Sequence, residues 1–330
     1  MSADRAVKIV DRDTLRIEPV DVREPGPGEI RVAVAAAGVN RADALQRRGH
    51  YPAPPGFPQD VPGLEYAGVV ESVGDGVFTH RAGDRVMGIT GGGAMATRLV
   101  VHEREAIPIP EGLSLAEAAA IPEVFYTAFD ALFVQAALRP FETVLLHAVG
   151  SGVGTAALQL AVAAGCRVLG TSRTAEKLEK AEPFGMDVKD GILAAEGRFA
   201  AEVRERTGAG VDVILDTVGA SYAAENLVAL AARGRVVVVG LLGGATGEVP
   251  LGLLLQKRAT IVGTVLRSRP LEEKALLAQR FAREVNPLFT RRRIRPVIDA
   301  VLPMEQVADA HRLLESNRTF GKIVLTWGGG

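Results

Sequence analysis

Cysteine is nearly absent from this chain, whose 330 residues contain only Cys166. A single thiol excludes a disulfide within the chain and a zinc site built on several cysteines. The beginning of the sequence lacks the apolar core of a signal peptide, and the most apolar long stretch, residues 236–255, is interrupted by glycines and Glu248. The formal net charge of −1 does not favour nucleic acid or an anionic membrane as a partner. We therefore expect a cytoplasmic protein with neither partner.

Two regions of the chain differ in their secondary-structure pattern. Up to about residue 110, short β-like runs such as 30–36, 67–73 and 96–101 are separated by glycine and proline, which predicts a compact, partly open antiparallel barrel. Beyond it, strand-like and helix-like runs alternate, and the run 236–239 is continuously apolar. This alternation predicts an α/β domain with a doubly wound parallel sheet of the Rossmann type.

These patterns divide the chain into three segments. Residues 1–120 are expected to form the substrate and catalytic domain, and residues 121–284 the cofactor-binding sheet domain. Residues 285–330 return to shorter segments and are expected to rejoin the first domain.

A glycine-rich turn lies between the strand-like residues 143–147 and a helix-like run. It consists of Gly150, Ser151, Gly152, Val153 and Gly154. Glycines permit a tight turn and a close approach of the backbone to a ligand, so a pyrophosphate can meet the free N–H groups of the helix start. Because strand and helix flank the turn and further such units follow, the sequence predicts a dinucleotide site.

The residues at the end of the second strand of this domain indicate which dinucleotide the site binds. Proteins that bind NAD usually carry an acidic residue there for the ribose hydroxyls. Here the strand is followed by Ser172, Arg173 and, one turn later, Lys177. One hydroxyl and two cations suit a 2′-phosphate, so we expect NADPH as the cofactor in preference to NADH.

Several motifs distributed along the chain carry a family resemblance. They are Gly-Val-Asn-Arg-Ala-Asp at 38–43, Pro-Gly-Leu-Glu-Tyr-Ala-Gly at 62–68, Ala-Gly-Asp-Arg-Val at 82–86, Ala-Ile-Pro-Glu at 120–123, Ser-Gly-Val-Gly at 151–154, Asp-Thr-Val-Gly at 216–219, Leu-Arg-Ser-Arg at 266–269 and Phe-Gly-Lys-Ile-Val-Leu at 320–325. The sequence resembles the zinc-independent quinone oxidoreductase (zeta-crystallin-like) branch of the medium-chain dehydrogenase/reductase superfamily, and most of all its tumour-suppressor-inducible type. The resemblance implies a GroES-like, mainly β N-terminal domain completed by the C-terminal tail, beside the Rossmann domain.

The zinc ligands of the related alcohol dehydrogenases are replaced in this sequence. Those enzymes carry a cysteine near position 40 and a histidine just before Glu65, whereas this chain has Asn40 and Leu64. Neither side chain offers a thiolate or an imidazole, so we expect no metal.

The resemblance also implies roles for individual residues. Asn40 and Tyr51 would be catalytic, lying near the nicotinamide in a cleft between the domains, where the Tyr51 phenol could donate to a carbonyl oxygen that takes up charge. The further cofactor-binding residues implied by the resemblance or by their place at the sheet edge are Thr127, Gly240, Leu241, Leu242, Leu266, Arg267, Ser268 and Lys322.

Three functions fit these observations. The first is hydride or electron transfer from NADPH to a quinone, an acceptor reactive enough to need no Lewis acid. The second is reduction of an activated double bond in an enone or enoyl substrate, with Tyr51 as proton donor. The third is an NADPH-binding structural or regulatory protein with weak activity. A homodimer is expected from a late strand near residues 259–266 that could form an exposed sheet edge.

Overall fold

The computed structural model describes residues 3–328. The chain divides into unit 1, which comprises the described residues up to Tyr126 and from Leu266 onward, and unit 2, Thr127–Val265. Within the described residues, no helix combines the length and apolar character that crossing a bilayer requires.

The strands are β1 (Arg5–Ile9), β2 (Leu15–Pro19), β3 (Glu29–Val39), β4 (Glu65–Val73), β5 (Arg85–Ile89), β6 (Arg98–His102), β7 (Ala106–Pro108), β8 (Thr143–Leu146), β9 (Arg167–Ser172), β10 (Gly191–Leu193), β11 (Val211–Asp216), β12 (Leu230–Val238), β13 (Thr260–Gly263), β14 (Ile298–Pro303) and β15 (Lys322–Thr326). The helices are α1 (Arg41–Arg47), α2 (Leu115–Ala118), α3 (Pro122–Phe129), α4 (Gly152–Ala163), α5 (Ala175–Glu179), α6 (Ala200–Thr207), α7 (Ala223–Ala229), α8 (Leu251–Lys257), α9 (Leu271–Glu284), α10 (Asn286–Thr290) and α11 (Val307–Glu315). Short 3-10 turns cover Glu103–Glu105, Glu182–Phe184, Val188–Asp190, Ala220–Tyr222 and Met304–Gln306, and one π-helical turn covers Asp130–Gln135.

Unit 1 is built on a seven-stranded sheet. Its strand order is β14-β15-β3-β4-β5-β7, β6 pairs with β3, and all pairs are antiparallel except β14 with β15. Alternate residues of β3 are buried, as expected of a strand with one face in the core. This is the predicted GroES-like β domain, and β1 and β2 add a separate hairpin that the sequence pattern did not reveal.

The tail of the chain completes this sheet. β15 pairs antiparallel with β3, with Ile323 opposite Val39. The predicted segmentation placed residues 266–284 in the sheet domain, whereas in the structure they belong to unit 1. The reason is the apolar face of α9, where Ala275, Leu277, Ala278 and Phe281 are buried and which packs against the Glu103–Glu105 turn and β7.

Unit 2 is a six-stranded sheet in which every pair is parallel. Its order, β10-β9-β8-β11-β12-β13, is the doubly wound order 3-2-1-4-5-6 of dinucleotide-binding domains. The central strands β8 and β11 are almost completely buried, which explains their continuously apolar sequences. The Rossmann prediction is therefore confirmed, and within this unit α7 leads directly into β12.

Candidate functional site

Three strand ends of unit 1 bring three polar side chains together. β3 ends at Val39 and is followed by Asn40, β4 begins with Glu65, and β15 begins with Lys322. Because β3 pairs with both β4 and β15, these positions meet although they are far apart in sequence.

The three side chains form a closed, buried hydrogen-bond network. The Lys322 ammonium lies 2.6 Å from Oε1 of Glu65 and donates to Oδ1 of Asn40 at 2.6 Å and to the Val39 carbonyl at 2.8 Å. Nδ2 of Asn40 donates to the same Glu65 oxygen at 2.9 Å. All three residues are less than a tenth exposed, so the ion pair is almost completely removed from water. A buried ion pair is stable only when further hydrogen bonds satisfy the remaining donors and acceptors of both charged groups, as the Asn40 side chain and the Val39 carbonyl do here.

The glycine at position 38, in the motif 38–43, is required for a steric reason. A Cβ on Gly38 would stand 2.1 Å from Oε1 of Glu65 and 2.7 Å from the Ala119 carbonyl. Only glycine lets the Glu65 carboxylate lie against β3 at this point.

This arrangement does not fit a catalytic zinc ion. The position before Glu65 is the buried, apolar Leu64, and both polar atoms of the Asn40 side chain are already hydrogen-bonded. The cation beside the Glu65 carboxylate is the ammonium of Lys322. Among residues 3–328, no group of three or more histidine, cysteine, aspartate or glutamate side chains is placed to hold a metal ion.

Tyr51 lies in the segment after α1 and is held by Arg267. The guanidinium of Arg267 lies 5.1 Å from the centre of the Tyr51 ring and donates to the Tyr51 carbonyl at 2.9 Å. It also donates to the Gly91 carbonyl at 2.8 Å and to Gln46. Arg267 is only 4% exposed. Its hydrogen bonds therefore hold the backbone of unit 1 around Tyr51.

Two further carboxyl groups, which the sequence reasoning did not single out, lie in the same cluster. The backbone N–H of Glu123, in the first turn of α3, donates to Oε2 of Glu65 at 2.8 Å. Burial and the Glu65 carboxylate raise the pKa of Glu123 to about 8. Asp43 is fully buried, accepts from the N–H groups of Asn40 and Gly63, and burial raises its pKa to about 6.

The available signal for Asp43 and Glu123 was their place in the motifs 38–43 and 120–123. Nothing local in either motif indicates that the two carboxyl groups share one cluster with Glu65. Burial of Tyr51, with a smaller effect of Glu123, also raises the pKa of the Tyr51 phenol.

In unit 2, the predicted phosphate turn lies between β8 and α4. Oγ of Ser151 caps α4 by accepting from the N–H of Gly154 at 3.0 Å. Within the described part of the chain, the N–H groups of Gly152 and Val153 have no hydrogen-bond partner. A Cβ on Gly154 would stand 2.4 Å from the Ala148 carbonyl, so glycine is required for the helix to pack on the turn. Two free N–H groups at a helix N-terminus fit a phosphate.

The other predicted cofactor residues of unit 2 follow neighbouring strands at the same edge. Ser172 ends β9 and accepts from the Thr174 N–H at 3.2 Å, Arg173 is exposed, and Lys177 lies on α5. Gly240, Leu241 and Leu242, also predicted to bind the cofactor, follow the end of β12, and both leucines are exposed. Because β9 is adjacent to β8, Ser172 at the end of β9 lies at the same sheet edge as the phosphate turn, and Arg173 follows it directly in sequence.

The remaining predicted cofactor residues have different environments. Thr127 lies on α3 in unit 2, whereas Leu266, Arg267, Ser268 and Lys322 belong to unit 1. The ammonium of Lys322, predicted as a cofactor-binding group, makes its hydrogen bonds with Val39, Asn40 and Glu65.

Comparison with known proteins gives a consistent result. Residues 26–111 match the family described as "Alcohol dehydrogenase GroES-like domain", and residues 152–283 match "Zinc-binding dehydrogenase". The rat synaptic vesicle membrane protein VAT-1 homolog is 33% identical, covering 96% of this chain and 81% of that protein. The rat quinone oxidoreductase-like protein 2 is 32% identical, covering 96% and 89%.

Two solved structures show the same likeness. The quinone oxidoreductase of Pseudomonas syringae pv. Tomato DC3000 superimposes with a TM-score of 0.87 and 30% identity, covering 98% of this chain and 99% of that one. The JamJ enoyl reductase superimposes with a TM-score of 0.87 and 27% identity, covering 99% of this chain and all of that one.

Proposed function

Since the chain belongs to the medium-chain dehydrogenase/reductase superfamily, and is thus a nicotinamide-dependent oxidoreductase, we propose that it reduces quinones with NADPH without zinc. The observation that carries this proposal is the Asn40–Glu65–Lys322 network. It places an ammonium group beside the Glu65 carboxylate, and it leaves no thiolate or imidazole there for zinc.

A quinone is the acceptor that suits a metal-free site. Without a Lewis acid, polarisation of an aldehyde or alcohol is lost, whereas a quinone is already a strong hydride acceptor. Tyr51, half-buried and held by Arg267, can donate a hydrogen bond to a quinone oxygen as it takes up charge. A quinone oxidoreductase-like relative and a quinone oxidoreductase structure support the same substrate class.

NADPH is proposed because of the groups beside the phosphate turn. The free N–H groups of Gly152 and Val153 accommodate the pyrophosphate, and Arg173 and Lys177 supply positive charge for a 2′-phosphate. When bound, the cofactor supplies the hydride; the chain's own residues bind it and orient the acceptor.

A homodimer and a cytoplasmic location belong to the same proposal. In the described part of unit 2, β13 is one of the two edge strands and pairs only with β12, and Leu251, Leu255 and Ile261 are exposed. Such an edge supports pairing with a second copy. Light scattering coupled to gel filtration would give twice the chain mass, and a monomer would contradict the dimer.

The proposed reaction is tested by an acceptor screen that follows NADPH absorbance. Benzoquinones and naphthoquinones should be reduced, catalytic efficiency should be higher with NADPH than with NADH, and chelators should leave the rate unchanged. The purified protein should contain no stoichiometric zinc. Comparable efficiency with both nicotinamides would contradict the NADPH preference, and loss of activity on metal removal would contradict zinc independence.

Reduction of an activated double bond is the second candidate. The similarity to the JamJ enoyl reductase favours it, and the same Tyr51 phenol could protonate the reduced carbon skeleton. Enones and enoyl thioesters in the same screen separate the two reactions, because a double-bond reductase would turn them over faster than any quinone.

A further inference from the structure

His147 is a buried histidine of unit 2, at the point where β8 ends and the phosphate turn begins. Its side chain is 0% exposed, and its ring packs against Phe199 and Tyr222 with 4.7 Å between ring centroids in each pair. Both ring nitrogens have polar partners: Nδ1 lies 3.0 Å from Oγ1 of Thr171, and Nε2 lies 2.7 Å from Oδ1 of Asn226. Filling this core would require only an apolar side chain, so the two hydrogen bonds indicate a further role.

The directions of these hydrogen bonds follow from Asp216, at the end of β11. Its Oδ1 accepts from two backbone N–H groups of the following turn at 2.7 and 2.9 Å, and its Oδ2 accepts from Nδ2 of Asn226 at 2.9 Å. The Asn226 amide therefore directs its oxygen toward His147, so Nε2 of the imidazole donates and Nδ1 accepts from the Thr171 hydroxyl. Burial lowers the pKa of His147, in agreement with a neutral ring.

This network reaches all three segments of unit 2 that are predicted to bind the cofactor. The phosphate turn follows His147, and Ser172 directly follows Thr171. The Thr171 carbonyl also accepts from the N–H of Val149, between β8 and α4, at 3.0 Å. On the other side, a carbonyl of the turn 217–219 accepts from a backbone N–H of the loop after β12 at 2.7 Å. His147 therefore lies at the centre of the hydrogen bonds that connect these segments.

We propose that His147 is a positioning residue for the dinucleotide, which holds the phosphate turn and the two neighbouring segments in the arrangement that binds the cofactor. This inference rests on the proposed reaction with NADPH. Without the imidazole, Thr171 and Asn226 each lose a hydrogen-bond partner inside the core, and the three segments can adopt other arrangements. If the binding arrangement is then populated about a tenth of the time, the observed Kd rises about 10-fold.

The test compares His147→Leu with His311→Leu in the full-length protein, with the Kd for NADPH and for NADH measured by titration calorimetry. Both histidines are 0% exposed, but within the described residues neither ring nitrogen of His311 has a hydrogen-bond partner, so its variant is the matched control. His147→Leu should raise both Kd values about 10-fold, because the phosphate turn serves both dinucleotides, and should leave kcat at saturating cofactor within about 2-fold. The control should bind both dinucleotides like the wild type. His147→Gln, whose amide again offers a donor and an acceptor, should recover part of the affinity.

A residue that only stabilises the fold gives a different result. His147→Leu would then have a lower Tm but an unchanged Kd for both dinucleotides, and this outcome would overturn the proposal. Long-range ¹H–¹⁵N spectra of the wild type should show the Nε2–H form of His147, and the Nδ1–H form would contradict the network.

A second variant applies if His147→Leu does not fold. Thr171→Val keeps the shape of the side chain and removes only the hydroxyl group that donates to Nδ1 of His147. It should also raise both Kd values, and unchanged values would overturn the proposal. If the wild type binds neither dinucleotide, the proposed function is wrong together with this inference, whereas normal binding by the His147 and Thr171 variants refutes the inference alone.

Discussion

Replacing Lys322 by methionine should destabilise unit 1 strongly. Methionine keeps an unbranched side chain of similar length but removes the ammonium that lies 2.6 Å from Glu65. The Glu65 carboxylate, 0% exposed, would remain buried without its cation, and Asn40 and the Val39 carbonyl would lose a donor. Removing one partner of such a buried pair costs about 3–5 kcal/mol.

The assay is thermal unfolding followed by tryptophan fluorescence. The chain has one tryptophan, Trp327, which follows β15 and packs against the core of unit 1. Its emission therefore reports on the sheet that contains Lys322. For a unit of this size the expected loss lowers Tm by roughly 6–20 °C.

Lys8→Met is the matched control. The Lys8 ammonium lies the same 2.6 Å from the Asp60 carboxylate, but that aspartate is 54% exposed. Exposed pairs contribute about 0–1 kcal/mol, so the control should melt close to the wild type.

A second variant shows whether the buried charge is the cause. Adding Glu65→Gln to Lys322→Met removes the uncompensated carboxylate and should raise Tm again. If Lys322→Met melts like Lys8→Met, or if the double variant is less stable than the single one, the reasoning from the buried ion pair is refuted.

Three further expectations concern the cofactor, the acceptor and acid stability. Tyr51→Phe should lower turnover several-fold at unchanged NADPH affinity, and unchanged steady-state kinetics would remove Tyr51 from the mechanism. Arg173→Ala or Lys177→Ala should raise the KM for NADPH about 10-fold or more and leave that for NADH unchanged, since each removes a charge-assisted hydrogen bond to the 2′-phosphate; equal effects on both cofactors would contradict this. Burial lowers the pKa of His311 to about 4, below its unfolded value, so the unfolded chain binds the proton first and stability should fall as pH drops from about 6.5 to 4. In His311→Leu the Tm measured across that range should depend less on pH, and an identical dependence would show that other groups cause it.

Local sequence patterns were sufficient for the sheets and for the phosphate turn. Continuous apolar runs such as Val236–Val239 and the glycines around Ser151 have causes that act over a few residues: burial on two faces, and room for a tight turn. Both features can therefore be predicted without knowing the rest of the chain.

The buried cluster depends on pairing between distant strands, which local patterns do not contain. Lys322 and Asn40 are 282 residues apart, and only the pairing of β15 with β3 brings them together. For this reason sequence analysis placed Lys322 among the cofactor-binding residues and assigned no role to Glu123. The grouping of residues 266–284 with unit 1 has a similar cause, because the apolar face of α9 shows that the helix packs against another element but not which unit contains that element.

The pairing of β15 with β3 also has a consequence for biosynthesis. β3 leaves the ribosome early, whereas the strand that carries Lys322 is made only after all of unit 2. Unit 2 is continuous in sequence and can fold during translation. Until β15 is synthesised, the Glu65 carboxylate lacks the Lys322 ammonium and β3 has an unpaired edge. A chain that stops short of β15 would carry an uncompensated carboxylate and an unpaired strand, the features by which quality control distinguishes unfinished proteins from finished ones.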